Sequence, residues 1–257
     1  MAAARNLPVV VAVTALLVTQ ADAQSQRPLH FLSKQCNEDA VQVLLDPQPF
    51  GDFVGSKFPL KLEEGKARVL IVVQDCSQYW MDGEDVGPTQ EIHVWVSIRG
   101  SEDVRPVVGS ERTLPTKTWF SLFTGSSNPR VREAKRASGT AQAPIEGVFL
   151  DAPGPQRRGR VSLSKDLHYS WDVSGATPSS RLVGVNHDVY VRDPAGKVVL
   201  NRIQALVHVS AGPSGATLTV AGGANPLPLV SAGAHPASVT TFFPMWSRAT
   251  LGLAPSR

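Results

Sequence analysis

Leu182-Val183-Gly184-Val185-Asn186-His187-Asp188-Val189-Tyr190-Val191-Arg192, then Asp193-Pro194-Ala195-Gly196, then Lys197-Val198-Val199-Leu200-Asn201-Arg202: this stretch decides the fold. Val183, Val185, Val189 and Val191 share one parity, the period of a β-strand with one apolar face. Asp193-Pro194-Ala195-Gly196 reads as a type I turn followed by a left-handed glycine, a short hairpin loop. Such a loop pairs Asp193 with Lys197. Counting outward sets Val191 opposite Val199, Val189 opposite Asn201 and Val185 opposite Ala205. The apolar sides match in that register, which supports it. On the reverse face Asp188 falls opposite Arg202, a cross-strand ion pair.

Working outward, the same reading extends over most of the chain. Arg160 to Val173 puts Val161, Leu163, Leu167, Tyr169, Trp171 and Val173 on one face of a strand. A further hairpin is expected at Pro213-Ser214-Gly215. Lys66 to Cys76 holds Val69-Leu70-Ile71-Val72-Val73, a buried-strand pattern rich in β-branched residues. Asp82-Gly83 and Gly87-Pro88 mark turns. Glu91 to Arg99 alternates, with Ile92, Val94, Val96 and Ile98 on one face and His93, Trp95 and Ser97 on the other. Thr113 to Thr124 and Ile145 to Leu150 read as two more strands. Two short helices are predicted. One covers Glu38 to Leu45 and stops before Asp46-Pro47. The other starts at Asn128-Pro129, with Asn as N-cap and Pro at the first helical position, and ends near Ala137 before Gly139. The fold class is mainly β (α+β): an antiparallel barrel or paired-sheet domain with one or two short helices.

Composition agrees. Twenty-one Gly and twenty Pro in 257 residues imply many turns and few long helices. Met1 to Arg5 carries one positive charge, Leu7 to Val18 is apolar, and Ala21-Asp22-Ala23 has small residues at both peptidase positions. That is the layout of a secretory signal peptide, and the apolar run is too short to span a bilayer. Residues 1–23 are expected to be removed, leaving 24–257 as a single β-rich domain in the periplasm or outside the cell. No N-x-S/T sequon occurs, and no second stretch is long enough to cross a membrane. The net charge of +3 is mild. The basic clusters Arg130–Arg136 and Arg157–Arg160 sit in polar segments and read as solvated faces, so no nucleic-acid partner is expected. Cys36 and Cys76, the two cysteines, are expected to form a disulfide in an oxidising compartment, the alternative being two separate buried thiols. They lack the spacing of a metal site, and no cofactor is expected.

Leu45-Asp46-Pro47, Phe58-Pro59-Leu60 and Glu64-Gly65-Lys66-Ala67-Arg68-Val69 resemble the opening of acetoacetate-decarboxylase-like proteins. Gly125 through Asn128-Pro129 to Ala137 resembles the strand-to-helix passage of the same group. The resemblance covers roughly residues 40–150. It implies a β-barrel-like fold around a closed small-molecule pocket. The group's enzymes use a Schiff-base lysine with a second lysine beside it, and this chain has no adjacent lysine pair.

Several residues are candidates for chemistry. Lys165 lies on the apolar parity of its predicted strand, where a lysine amine serves as a nucleophile or simply packs its stem with the ammonium in water. Glu91 and His93 point the same way, an arrangement that orients an imidazole as a base. Trp95 extends that face as a pocket wall. His187 sits among valines as a pocket acid, base or core residue. Tyr79-Trp80 and Phe242 to Trp246 are placed in loops, as the mouth of a cavity or as plugs of a barrel. No GxSxG, HExxH or GxxxxGK[ST] motif is present. The reading that follows is an exported small-molecule-binding protein whose apolar pocket takes an apolar or organic-acid ligand. The alternatives are a lyase or hydrolase on the same scaffold, and an envelope interaction module with a filled core.

Overall fold

The computed structural model describes residues 28–152, 154–176, 178–193, 195–210, 214–222 and 230–254. The segment read as a signal peptide lies outside the described residues.

The first element is a strand, β1 (Leu29–Leu45). It replaces the helix expected over Glu38 to Leu45. The segment alternates, with Asp39, Val41 and Val43 on one side and Glu38, Ala40 and Gln42 on the other, and it gains ladder partners on both edges, which local helix propensity cannot match. The short helix α1 (Gln48–Val54) and strand β2 (Leu62–Glu63) lead into β3 (Lys66–Met81). Asp82 and Gly83, both at positive φ, close a two-residue hairpin onto β4 (Glu84–Asp85). Next come β5 (Thr89–Ser97), β6 (Arg112–Thr113) and β7 (Lys117–Ser126). Helix α2 (Pro129–Ala137) follows, its N-cap Asn128 side chain accepting from the Arg130 and Val131 backbone N–H groups. Then come β8 (Ala143–Pro144), β9 (Gly147–Leu150), β10 (Gly154–Ser162) and β11 (His168–Ala176). The last four strands are β12 (Pro178–Arg192), β13 (Val198–Ser210), β14 (Ser214–Ala221) and β15 (Gly233–Leu253).

Seven strands close a barrel in the order β1-β3-β5-β7-β12-β13-β15, with β15 returning to β1. Only β7 and β12 pair in parallel among these neighbours. A parallel neighbour is out of reach of a tight turn, and the chain between them runs through α2 and β8–β11. The β12–β13 hairpin has the register read from its sequence: Val191 faces Val199, Val189 faces Asn201, Val185 faces Ala205, and Asp188 faces Arg202. Gly196 takes a positive φ, and the Arg202 Nε lies 3.7 Å from the Asp188 carboxylate.

The long β15 belongs to two sheets. Phe242–Leu253 pairs with β13 inside the barrel, while Gly233–Val239 pairs with β14. From there a second sheet runs β14-β11-β10-β9 and folds back over the outside of the barrel. β13 and β14 therefore flank β15 rather than forming the hairpin expected at Pro213-Ser214-Gly215. The single strand expected over Arg160 to Val173 is instead the β10–β11 hairpin, turning through Leu163–Leu167. Tyr79-Trp80 and Phe242 to Trp246 lie in β3 and β15, not in loops.

Two cores result. Between barrel and second sheet pack Val41, Ile71 and Ile92 against Tyr169, Trp171 and Leu218. Inside the barrel lie Ala40, Val72, Trp95, Trp119, Val189 and Val199. Strands β3 and β5 are thus buried on both faces, which is why Val69 to Val73 reads as a continuous apolar run. A corner of the interlayer is polar. Asp39 and Arg157 are both 0% exposed. Arg157 Nε donates to Asp39 Oδ2 at 3.1 Å, Trp171 Nε1 donates to the same oxygen at 2.9 Å, and Thr241 Oγ1 donates to Oδ1 at 2.9 Å. Arg157 is therefore not part of a solvated face. Gly159 sits opposite Trp171, and a Cβ there would come within 2.2 Å of the indole, so the ring occupies the space that a side chain at 159 would need. Cys36 and Cys76 are register partners on β1 and β3 and are disulfide-bonded.

Candidate functional site: the barrel lumen

A cavity of about 360 Å³ occupies the barrel lumen. Strand parity decides what faces it. Ile92, Val94 and Val96 of β5 face the second sheet, so Glu91, His93 and Trp95 face the lumen. At one end the lining residues Gln42, Arg68, Leu114 and Lys117 are partly exposed. At the other end Phe31, Tyr79, Glu91 and Lys135 are buried.

Helix α2 supplies the buried end. Val131 and Lys135 are one turn apart on the same helix face, and both are buried. Val131 packs with Phe31, Tyr79 and the Cys36–Cys76 bridge, which aims Lys135 into the lumen. The Lys135 ammonium pairs with Glu91 Oε1 and lies 5.0 Å from the centre of the Phe31 ring. Tyr79 Oη donates to Glu91 Oε2 at 2.9 Å, and His93 Nε2 stands 3.7 Å from the same oxygen. Burial pushes the Glu91 carboxyl up, but the Lys135 charge and the His93 imidazole outweigh it and hold the group at about 2. Burial and the Glu91 charge push the Tyr79 hydroxyl well above its ordinary range. On β1, Glu38 also lines the lumen. Burial, with the neighbouring Asp39 charge, raises its carboxyl to about 7 against the hydrogen bond from Gln74.

The middle of the lumen is aromatic. The Trp95 ring centre lies 5.4 Å from His93, 6.1 Å from Trp119 and 5.7 Å from His187. Trp119 Nε1 donates to His187 Nδ1 at 3.0 Å, so His187 is a neutral ring with its proton on Nε2. Burial, together with the Lys117 and Arg105 charges, lowers His187 to about 4. The Arg68 guanidinium sits 5.5 Å from the centre of the Trp119 ring.

Of the residues singled out from sequence, Tyr79, Glu91, His93, Trp95 and His187 meet at this cavity. Trp80 alternates with Tyr79 to the other side of β3, where Lys34 lies 5.3 Å from its ring centre. Lys165 is exposed in the turn between β10 and β11, away from the lumen. Lys135, Trp119 and Glu38 also line it and are not among those residues. Lys135 was readable in one respect: it falls four residues after Val131 on a helix that has only one apolar stripe. In the basic cluster Arg130–Arg136, Arg130 and Arg136 are exposed, Arg132 is half-buried and donates to the Ser126 and Ser127 carbonyls, and Lys135 is buried.

No family model matches the sequence, and none of the curated proteins matches it. Solved structures do match in shape. The enduracididine biosynthesis enzyme MppR, complexed with the condensation product of pyruvate and imidazole 4-carboxaldehyde, superposes with a TM-score of 0.52 at 14% identity, covering 88% of this chain and 87% of that one. An acetoacetate decarboxylase-like enzyme from Sphingomonas wittichii RW1 gives 0.50 at 10% identity, covering 89% and 92%. An acetoacetate decarboxylase gives 0.50 at 10% identity, covering 86% of each chain. The fold is that of the acetoacetate-decarboxylase-like enzymes. Among the described residues, no helix is long and apolar enough to cross a membrane.

Proposed function

We propose that the chain is an exported protein that binds a small organic ligand, an acid or carbonyl compound with an apolar body, inside the barrel lumen. The observation that carries this reading is the arrangement of the cavity. An apolar and aromatic lumen ends on a buried polar group of Glu91, Lys135, Tyr79 and His93. Apolar walls with a few convergent polar groups are the usual chemistry of small-molecule sites. The similarly folded MppR is complexed with a small condensation product. Export is supported by the N-terminal pattern ending at Ala21-Asp22-Ala23 and by the Cys36–Cys76 bond. Native mass spectrometry of the exported protein, compared with its denatured mass, tests both parts. A retained small molecule and a mature start near Gln24 are expected. A bare chain that binds no acid or carbonyl compound from a small panel overturns the pocket reading.

A lyase on the same scaffold is favoured by one further observation: the Lys135 amine is 4% exposed and lies in the lumen beside a carboxylate. Once its ammonium has lost a proton to water in the lumen, the amine nitrogen condenses with a ligand ketone, forming the C=N bond and releasing water. Reduction with borohydride in the presence of pyruvate should then fix a pyruvate-derived mass on Lys135. No adduct in the wild type, or an unchanged adduct in Lys135→Met, removes this reading and leaves simple binding.

A further inference from the structure

Three tryptophans are deeply buried: Trp95, Trp119 and Trp171. A buried indole N–H almost always finds an acceptor, because leaving it unmade forfeits a hydrogen bond to water. Trp171 gives its proton to Asp39 at 2.9 Å, and Trp119 gives its proton to His187 at 3.0 Å. Trp95 Nε1 has no partner among the described residues, and Trp95 lines the lumen. The Gln142 side-chain amide, on the same cavity, uses one end on Thr124 Oγ1 and leaves the other unpaired. Which end is free depends on the orientation of the amide, so it can either give or accept a proton.

The surroundings of Trp95 define what fits. His93, Trp119 and His187 present ring faces and edges within about 6 Å of it, the spacing of stacked and edge-on aromatic contacts. The partly exposed end of the cavity carries Arg68 and Lys117, which favour entry of an anion.

We propose that the middle of the lumen is a subsite for a planar aromatic ligand that carries a carbonyl or carboxylate acceptor, held by ring contacts with Trp95 and by a hydrogen bond from its Nε1. The proposal rests on the pocket reading above and adds the ligand's chemical class to it. A short aliphatic acid would meet the buried ion pair but leave the Trp95 donor and the aromatic walls unused. An aromatic hydrocarbon would fill the walls but leave the donor unmade.

The test is calorimetric titration of the purified protein with trans-cinnamate, 3-cyclohexylpropanoate, propylbenzene and pyruvate. Cinnamate should bind at least about tenfold more tightly than each of the other three, the value of one well-made contact. In Trp95→Phe the ring stays and the donor goes. Cinnamate should then weaken about tenfold and propylbenzene should not change. A readout on the unmodified protein guards against repacking in the variant: the Trp95 indole proton should shift downfield and exchange more slowly with cinnamate bound. Equal affinities across the aromatic and alicyclic acids overturn the proposal, as does an indole proton that cinnamate does not move, which would mean that water satisfies Trp95. Binding of pyruvate alone overturns the aromatic subsite and keeps the pocket. Binding of no probe overturns both.

Discussion

Two ion pairs are deeply buried among the described residues, and their surroundings differ. Asp39–Arg157 lies between the barrel and the second sheet, with both side chains at 0% exposure. Both oxygens of Asp39 accept hydrogen bonds, and the donors come from β10, β11 and β15. The cluster ties strands that are 118 to 202 residues apart in sequence. Glu91–Lys135 is almost as buried, at 2% and 4%, but it joins β5 to α2 across the end of an open cavity. Burial of a charge therefore does not by itself mark a functional site. What separates the two is the space beside them: one pair is walled in by packed side chains, the other faces the open volume of the lumen. Successive residues of β1 show the same division. Asp39 faces the interlayer and Glu38 faces the lumen.

The largest effect is expected from Asp39→Ala. It strands Arg157 without a counter-charge in a packed interior and should lower folding stability by ~3–5 kcal/mol in urea titrations. A loss below ~1 kcal/mol would show that the interlayer cluster does not hold the two sheets together. Glu38 comes next. Its carboxyl rises from 4.5 to about 7 on folding, so the folded state holds the proton more tightly. The stability this contributes is complete below pH 4.5 and is lost as the pH climbs through about 7, an effect of at most about 3 kcal/mol. Glu38→Gln should thus match the wild type at pH 4 and exceed it at pH 8. Equal stability at both values would place Glu38 in contact with bulk water. Lys135→Met should have the smallest effect on stability, ~1–3 kcal/mol, because cavity water can reach the Glu91 carboxylate left behind. It should nevertheless abolish ligand retention in native mass spectra, which Asp39 variants that still fold should keep. A variant that loses stability as severely as Asp39→Ala but still retains ligand would reverse the assignment of the two pairs.

Much of the architecture was legible because its signals are local. The Asp193–Gly196 loop, the Asn128 cap and the Asp82-Gly83 turn each depend on a few backbone angles that particular residues favour, and each is where the sequence places it. The site was legible in part for the same reason: alternation on β5 puts Glu91, His93 and Trp95 on one face whatever that face meets. The errors also have a common cause. Glu38 to Leu45 carries a helix-compatible pattern, and only pairing with β3 and β15 makes it a strand. Lys135 and Arg157 sit in basic clusters whose neighbours are solvated, and each is buried by an element distant in sequence.

By itself, then, the sequence determined the strand-rich class, the turns and the register of one hairpin, because each is settled by residues within a few positions of one another. Tertiary structure alone decided that β15 is shared by two sheets, that the barrel closes through β1, and which face of each strand becomes lumen. A period of two sorts side chains into two sets but assigns neither set an environment. In β3 and β5 both sets are buried, one under the second sheet and one around the cavity, and only closure of the barrel distinguishes a packed face from one that lines a cavity.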